Sequence, residues 1–128
     1  MLPIDEVSGM MIDVDFGCWY RIDERTQNIH RAMTAELLKN KGIKVFSINT
    51  SLSMLYVALR KYDAHFVINT HPWDCSAGSF LAMQAGCIVS AVDGTPWGPK
   101  VNNVMIASNP KVYKVMRDAY YAAVAQVR

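Results

Sequence analysis

The sequence predicts an α/β fold, a mixed and mostly parallel sheet with helices packed on it. Three observations carry that prediction. Strand-like runs alternate with stretches of helical periodicity in the order β-α-β-α-β-α-β-β-α, and glycines close two of the helices. A length of 128 residues suits one core rather than two, so residues 1–128 read as a single domain. No internal repeat, Pro/Ser-rich linker or charge block divides the chain.

Residues 11–16 form the first strand, with Ile12, Val14 and Phe16 on one side and Asp13 and Asp15 on the other. Alternating acids on a strand read first as a solvated face and second as a chelating pair. Asp23 caps the first helix, whose inner stripe is Ile29, Ala32, Met33 and Leu37 and whose stop is Asn40-Lys41-Gly42. Residues 43–47 return as a strand. The cap-forming Asn49, Thr50 and Ser51 precede a second helix, in which Leu52, Leu55, Tyr56 and Leu59 are predicted to face the core.

Residues 64–68 read as a buried strand, after which His71-Pro72-Trp73-Asp74 turns the chain into a third helix. Its predicted inner face is Ala77, Phe80, Leu81 and Ala85, and Gly86 ends it. Residues 87–92 form the next strand, Asp93-Gly94 a tight turn, and residues 104–107 the last strand after a Pro/Gly loop. Asn109 at the cap and Pro110 at the first helical position open the final helix, with Val112, Val115, Met116 and Ala119 inward.

Composition excludes several functions. A hydrophobic fraction of 52% with 19% charged residues is too apolar for a disordered tail. A net charge of +2 falls far short of a nucleic-acid-binding stripe. The longest charge-free stretch, residues 75–92, is broken by Ser, Gly and Gln and is no membrane span. The opening Met-Leu-Pro-Ile-Asp-Glu places acids where a secretory signal carries Lys or Arg. Cys18, Cys75 and Cys87 are too few and too widely spaced for a disulfide framework or a zinc half-site, and read as thiols in a reducing compartment. The expected setting is therefore cytoplasmic.

Gly94-Thr95-Pro96-Trp97-Gly98-Pro99-Lys100 has neither the spacing nor the amide donors of a phosphate loop. The one compact constellation is Trp73-Asp74-Cys75-Ser76-Ala77-Gly78, where a strand end, a turn and an aspartate at a helix N-terminus meet at the mouth of the sheet. Asp74 there has two readings: a cap accepting from the amides of Ser76 or Ala77, or a ligand-binding carboxylate.

His71-Pro72-Trp73-Asp74-Cys75-Ser76-Ala77-Gly78, with Leu81-Ala82-Met83-Gln84-Ala85-Gly86 and Asp93-Gly94 behind it, resembles the second signature of the inositol monophosphatase superfamily. Tyr56-Val57-Ala58 and Tyr62-Asp63-Ala64 upstream, and Ile106-Ala107-Ser108-Asn109 downstream, are similar to the family in register. The resemblance implies the C-terminal lobe of that fold, and a Mg²⁺-dependent phosphatase acting on phosphate monoesters. It implies Asp74 as a magnesium ligand, Trp73 as a brace of the turn and Asn49 and Thr50 near the substrate pocket, while His71 reads as a turn residue supporting the site rather than a base.

The same resemblance marks departures. The family's G-E-x-E and D-P-x-D-G-T segments, which carry its other metal-binding carboxylates, are absent. Ile48-Asn49-Thr50 stands where relatives have a Gly-Ser/Thr-Ala run, Val67 where inositol-specific members have a glutamate, and Gln84 and Cys87 replace residues of an E-A-G-G ending. Mg²⁺ takes six oxygens in near-octahedral array, which one aspartate cannot supply. The expectation is a domain of a phosphate monoester hydrolase that is inactive or incomplete alone, or else a non-catalytic, self-associating or regulatory module. Half of a two-lobed fold exposes an apolar face, so a homodimer or a partner carrying the missing lobe is expected.

Overall fold

The computed structural model describes residues 9–16, 23–48, 50–68 and 71–127. Cys18, Asn49 and the side chain of Phe16, all named above, lie outside that description. Five strands form one sheet: β1 (Met11–Phe16), β2 (Lys44–Phe46), β3 (Ala64–Ile68), β4 (Ile88–Ser90) and β5 (Val104–Ala107), in spatial order β2-β1-β3-β5-β4. β1 runs parallel to both β2 and β3, whereas β5 is antiparallel to β3 and β4. The sheet is mixed as expected, but not mostly parallel: β5 returns antiparallel between β3 and β4, so parallel and antiparallel pairings are equal in number among the described residues.

Among the described residues, four helices flank the sheet: α1 (Glu24–Leu38), α2 (Leu52–Ala58), α3 (Pro72–Gln84) and α4 (Pro110–Gln126). The element order is the one read from the sequence. Asp23 caps α1 by accepting from the Thr26 amide at 2.8 Å, and Asn109 caps α4 by accepting from Val112 at 3.0 Å. Each cap satisfies an amide that the first helical turn leaves without a partner. Gly42, Gly86 and Gly94 adopt positive φ at the predicted stops and turn, a region that costs glycine little.

α1 and α4 cover one face of the sheet. Ile29, Met33 and Leu37 from α1 and Val112, Val115, Met116 and Ala119 from α4 meet Ile12, Val14, Phe66 and Met105. The fully buried Leu37 and Met33 each contribute about 1.5–3 kcal/mol by leaving water. α2 and α3 cover the other face, where Met54, Val57, Cys75 and Ala82 pack on Val67, Val104 and Ile106. Gly78 lets these two helices close up, since a Cβ there would lie 2.5 Å from Met54 Sδ.

This second layer corrects two expectations. Leu52 and Leu55 of α2 and Leu59 at its C-cap were placed against the core by their spacing, yet all three are exposed, and Ser53, Met54 and Val57 point inward instead. In α3, Ala77, Phe80, Leu81 and Ala85 lie outward, while Cys75, Ser79 and Ala82 face the sheet. A 3.6-residue stripe establishes that a helix has an apolar side, not which neighbour covers it. Among the described residues, no helix is long and apolar enough to cross a membrane.

Candidate functional site

The parallel strands β1, β2 and β3 end at one edge of the sheet, and the residues that follow β2 and β3 gather there. Ser47, Ile48 and Thr50 follow β2, and His71 and Asp74 follow β3. Ligands of open α/β sheets bind at such an edge, where β1 connects outward to neighbours on both sides.

α3 begins at Pro72 with His71 as its cap residue, so Asp74 stands inside the first turn rather than at the cap. The capping reading of Asp74 is thereby corrected: proline starts the helix two residues earlier. The Asp74 side chain is exposed. The Trp73 indole is 73% exposed and stacks on the His71 imidazole, ring centres 4.2 Å apart and planes within 8°. Thr50 accepts from the Leu52 amide at 3.3 Å and opens α2.

Beneath this edge lies a group of side chains that the alternation of β1 placed in water. Asp13 and Asp15 are 0% and 1% exposed, and His65 of β3 is 1% exposed. The solvated-face reading is corrected. β1 is an inner strand with a helical layer on each side, so neither of its faces meets water. Asp13 and His65 are register partners, and Asp15 lies two residues further on the same face. Asp13 Oδ2 is 3.0 Å from His65 Nδ1, which stands 3.8 Å from Asp15 Oδ2.

Each carboxylate is anchored by its other oxygen. Asp13 Oδ1 accepts from the Ile48 amide at 3.3 Å, and Asp15 Oδ1 accepts from the Ser47 hydroxyl at 2.6 Å. The Ser53 hydroxyl, fully buried, points at the Asp13 carboxyl and completes no hydrogen bond of ordinary geometry. Burial works to raise the Asp13 pKa, but hydrogen bonding, above all with His65, more than offsets it and holds the group below its usual value of 3.8. His65 was not singled out in the sequence. Its only signal is its place opposite Asp13, which requires the strand pairing to be known.

A match to the family model described as "Inositol monophosphatase family" spans residues 16–127. The chain belongs to the inositol monophosphatase family. It is 26% identical over 98 residues to the Inositol-1-monophosphatase of Bacillus subtilis (strain 168), covering 76% of this chain and 37% of that protein. It is 38% identical over 68 residues to the Nus factor SuhB of Escherichia coli (strain K12), covering 53% of this chain and 25% of that protein. The Thermotoga maritima IMPase structure shares its fold with a TM-score of 0.72 at 14% identity, over 95% of this chain and 44% of the other. The chain spans less than half the length of these relatives.

The inositol monophosphatase family is one of metal-dependent phosphatases. Asp74 offers one exposed carboxylate, and the group of three ligand-type side chains found among the described residues is Asp13, Asp15 and His65. Neither suits Mg²⁺ alone. The ion keeps octahedral oxygen coordination and several waters, whereas the first offers a single carboxylate and the second is buried and includes an imidazole. Cys75 and Cys87 are buried and form no disulfide, as expected, and burial raises the Cys75 pKa, with the Asp74 charge adding to the rise.

Proposed function

We propose that these residues form the Asp74-bearing part of a Mg²⁺-dependent phosphate monoester hydrolase whose remaining metal-binding carboxylates lie outside the 128 residues. The observation that carries the reading is the placement of the Trp73-Asp74 motif. It puts one exposed carboxylate in the first turn of α3, at the sheet edge that also bears Thr50. In this reading Asp74 is a metal ligand, the His71–Trp73 stack braces its turn, and Asn49 and Thr50 border the substrate. Val67, 5% exposed in β3, offers no polar contact for an inositol hydroxyl, so inositol phosphate is a poor substrate. Thiols that form no disulfide fit a reducing, cytoplasmic setting.

A lone exposed carboxylate binds Mg²⁺ weakly. Titration of Mg²⁺ into the purified chain is therefore expected to give an apparent Kd on the order of millimolar or weaker, reduced further by Asp74→Asn. Micromolar Mg²⁺ binding would show that the chain already holds a full ligand set and would contradict the reading.

A non-catalytic, self-associating module is favoured by a separate observation. The outward side of α2 and α3 carries Leu52, Leu55, Leu59, Phe80, Leu81 and Met83, all exposed. Large apolar side chains in such number mark an interaction surface. The occupant is a second copy of the chain, or the residues that complete the metal site. Light scattering is expected to give twice the chain mass at tens of micromolar. A monomer at high concentration would remove the second copy and leave the completing lobe.

A further inference from the structure

The geometry points to a second, buried cation site formed by Asp13, Asp15 and His65, built for a borderline divalent transition metal such as Zn²⁺ rather than for Mg²⁺. Its ligand atoms are Asp13 Oδ2, Asp15 Oδ2 and His65 Nδ1. The nitrogen stands 3.0 and 3.8 Å from the two oxygens. Ligands about 2.1 Å from a tetrahedral ion lie about 3.4 Å apart, a value that these two distances bracket. All three atoms lie within 4.8 Å of one another, close enough for one ion between them to be reached by side-chain adjustment.

The surroundings are those of a ligand set already oriented. The Ile48 amide and the Ser47 hydroxyl pin one oxygen of each carboxylate and leave the other directed at His65. Such outer hydrogen bonds fix the orientation of metal-binding carboxylates. The buried Ser53 hydroxyl, aimed at the same carboxyl without a hydrogen bond of its own, is a polar group in want of a partner. A cation, or a water bound to it, supplies one.

Charge gives the second reason. Among the described residues the side chain in ion-pair range of Asp13 is His65, which also stands 3.8 Å from Asp15 Oδ2, so one imidazole sits between two buried carboxylates whose mutual repulsion is costly. A divalent ion neutralises both. Imidazole with carboxylate is a donor set that Zn²⁺ accepts readily, whereas Mg²⁺ disfavours nitrogen and gives up its waters reluctantly. When the ion takes Nδ1, the ring hydrogen moves to Nε2, which has no hydrogen-bond partner among the described residues. That unsatisfied N–H moderates the affinity, which is expected in the micromolar range or somewhat tighter. The inference is independent of Asp74, which is not among these three ligands.

The test titrates Zn²⁺, Mn²⁺ and Mg²⁺ into the chelator-stripped chain while following binding heat and thermal unfolding. One Zn²⁺ per chain is expected, with a raised Tm and a preference over Mg²⁺ of about 100-fold or more. Asp15→Asn and His65→Gln are each expected to weaken Zn²⁺ binding by about 100-fold or more, while Asp74→Asn leaves it unchanged. Loss of binding in Asp74→Asn alone would place the ion at the edge site and overturn the inference without touching the phosphatase reading. Survival of binding in both Asp15→Asn and His65→Gln would overturn it equally, as would no heat and no Tm shift with Zn²⁺. If those variants fail to fold, Co²⁺ in the unmodified chain decides. Tetrahedral visible bands without a thiolate band support the site, and a thiolate band or octahedral spectrum overturns it.

Discussion

Asp13→Ala lowers the stability of the domain by about 3–5 kcal/mol, read as a fall in the urea midpoint at pH 7. The substitution removes the acceptor for His65 Nδ1 at 3.0 Å and for the Ile48 amide at 3.3 Å, both in a setting with almost no solvent. Groups stripped of partners there incur the full cost of their desolvation. Asp13→Asn retains the shape and one carbonyl oxygen, so its loss is smaller, about 1–2 kcal/mol. An Asp13→Ala change within about 0.5 kcal/mol of the parent would mean that water reaches the carboxylate after all.

His30 gives the domain a separate sensitivity to acid. Its ring is 6% exposed, packs 5.7 Å from Phe66, and is pushed down to about 4 by burial, with the Arg31 charge adding to the fall. The unfolded chain takes up this proton near 6.5 and the folded chain only near 4. Stability is therefore complete above pH 6.5 and is lost as the pH falls toward 4, by about 3 kcal/mol in all. His30→Leu flattens the urea midpoint over that window, whereas an unchanged slope in the variant would assign the acid sensitivity to other groups. Asp13, held below its usual value of 3.8, loses its contribution only at still lower pH. The two groups thus separate along the pH axis.

What was legible in the sequence is what local physics determines. Asp23 and Asn109 as caps, Asp93-Gly94 as a turn, and the inner stripes of α1 and α4 depend on residues within one or two turns of each other. The Trp73-Asp74 motif was legible for the same reason, although the helix begins earlier than a capping aspartate would have it. What was not legible depends on neighbours far along the chain. The alternation of β1 separated Ile12 and Val14 from Asp13 and Asp15, but only the strand order shows that both sides are covered. His65 meets Asp13 across a register that no local pattern encodes. The leucines of α2 face outward while Ser53, Met54 and Val57 face inward, with Met54 packed on Gly78 of α3, a neighbour that no pattern within α2 reveals.

The phosphatase reading and the buried site divide the chain's carboxylates between two tasks. Asp74 stands exposed in the first turn of α3. Asp13 and Asp15 stand beneath the sheet edge, linked to it through Ser47 and Ile48. Those bonds tie the loop preceding Thr50 to the core of the sheet, so loss of the buried group is expected to loosen the site edge as well as to lower stability.

The most direct measurement is phosphate release by the purified chain over a panel of phosphate monoesters with and without Mg²⁺, run beside Asp74→Asn. The account predicts no Mg²⁺-dependent release above background for either protein, because the described residues supply one of the several carboxylates that the metal shell requires. Release that requires Mg²⁺ and disappears in Asp74→Asn would show a complete site within these 128 residues and contradict it.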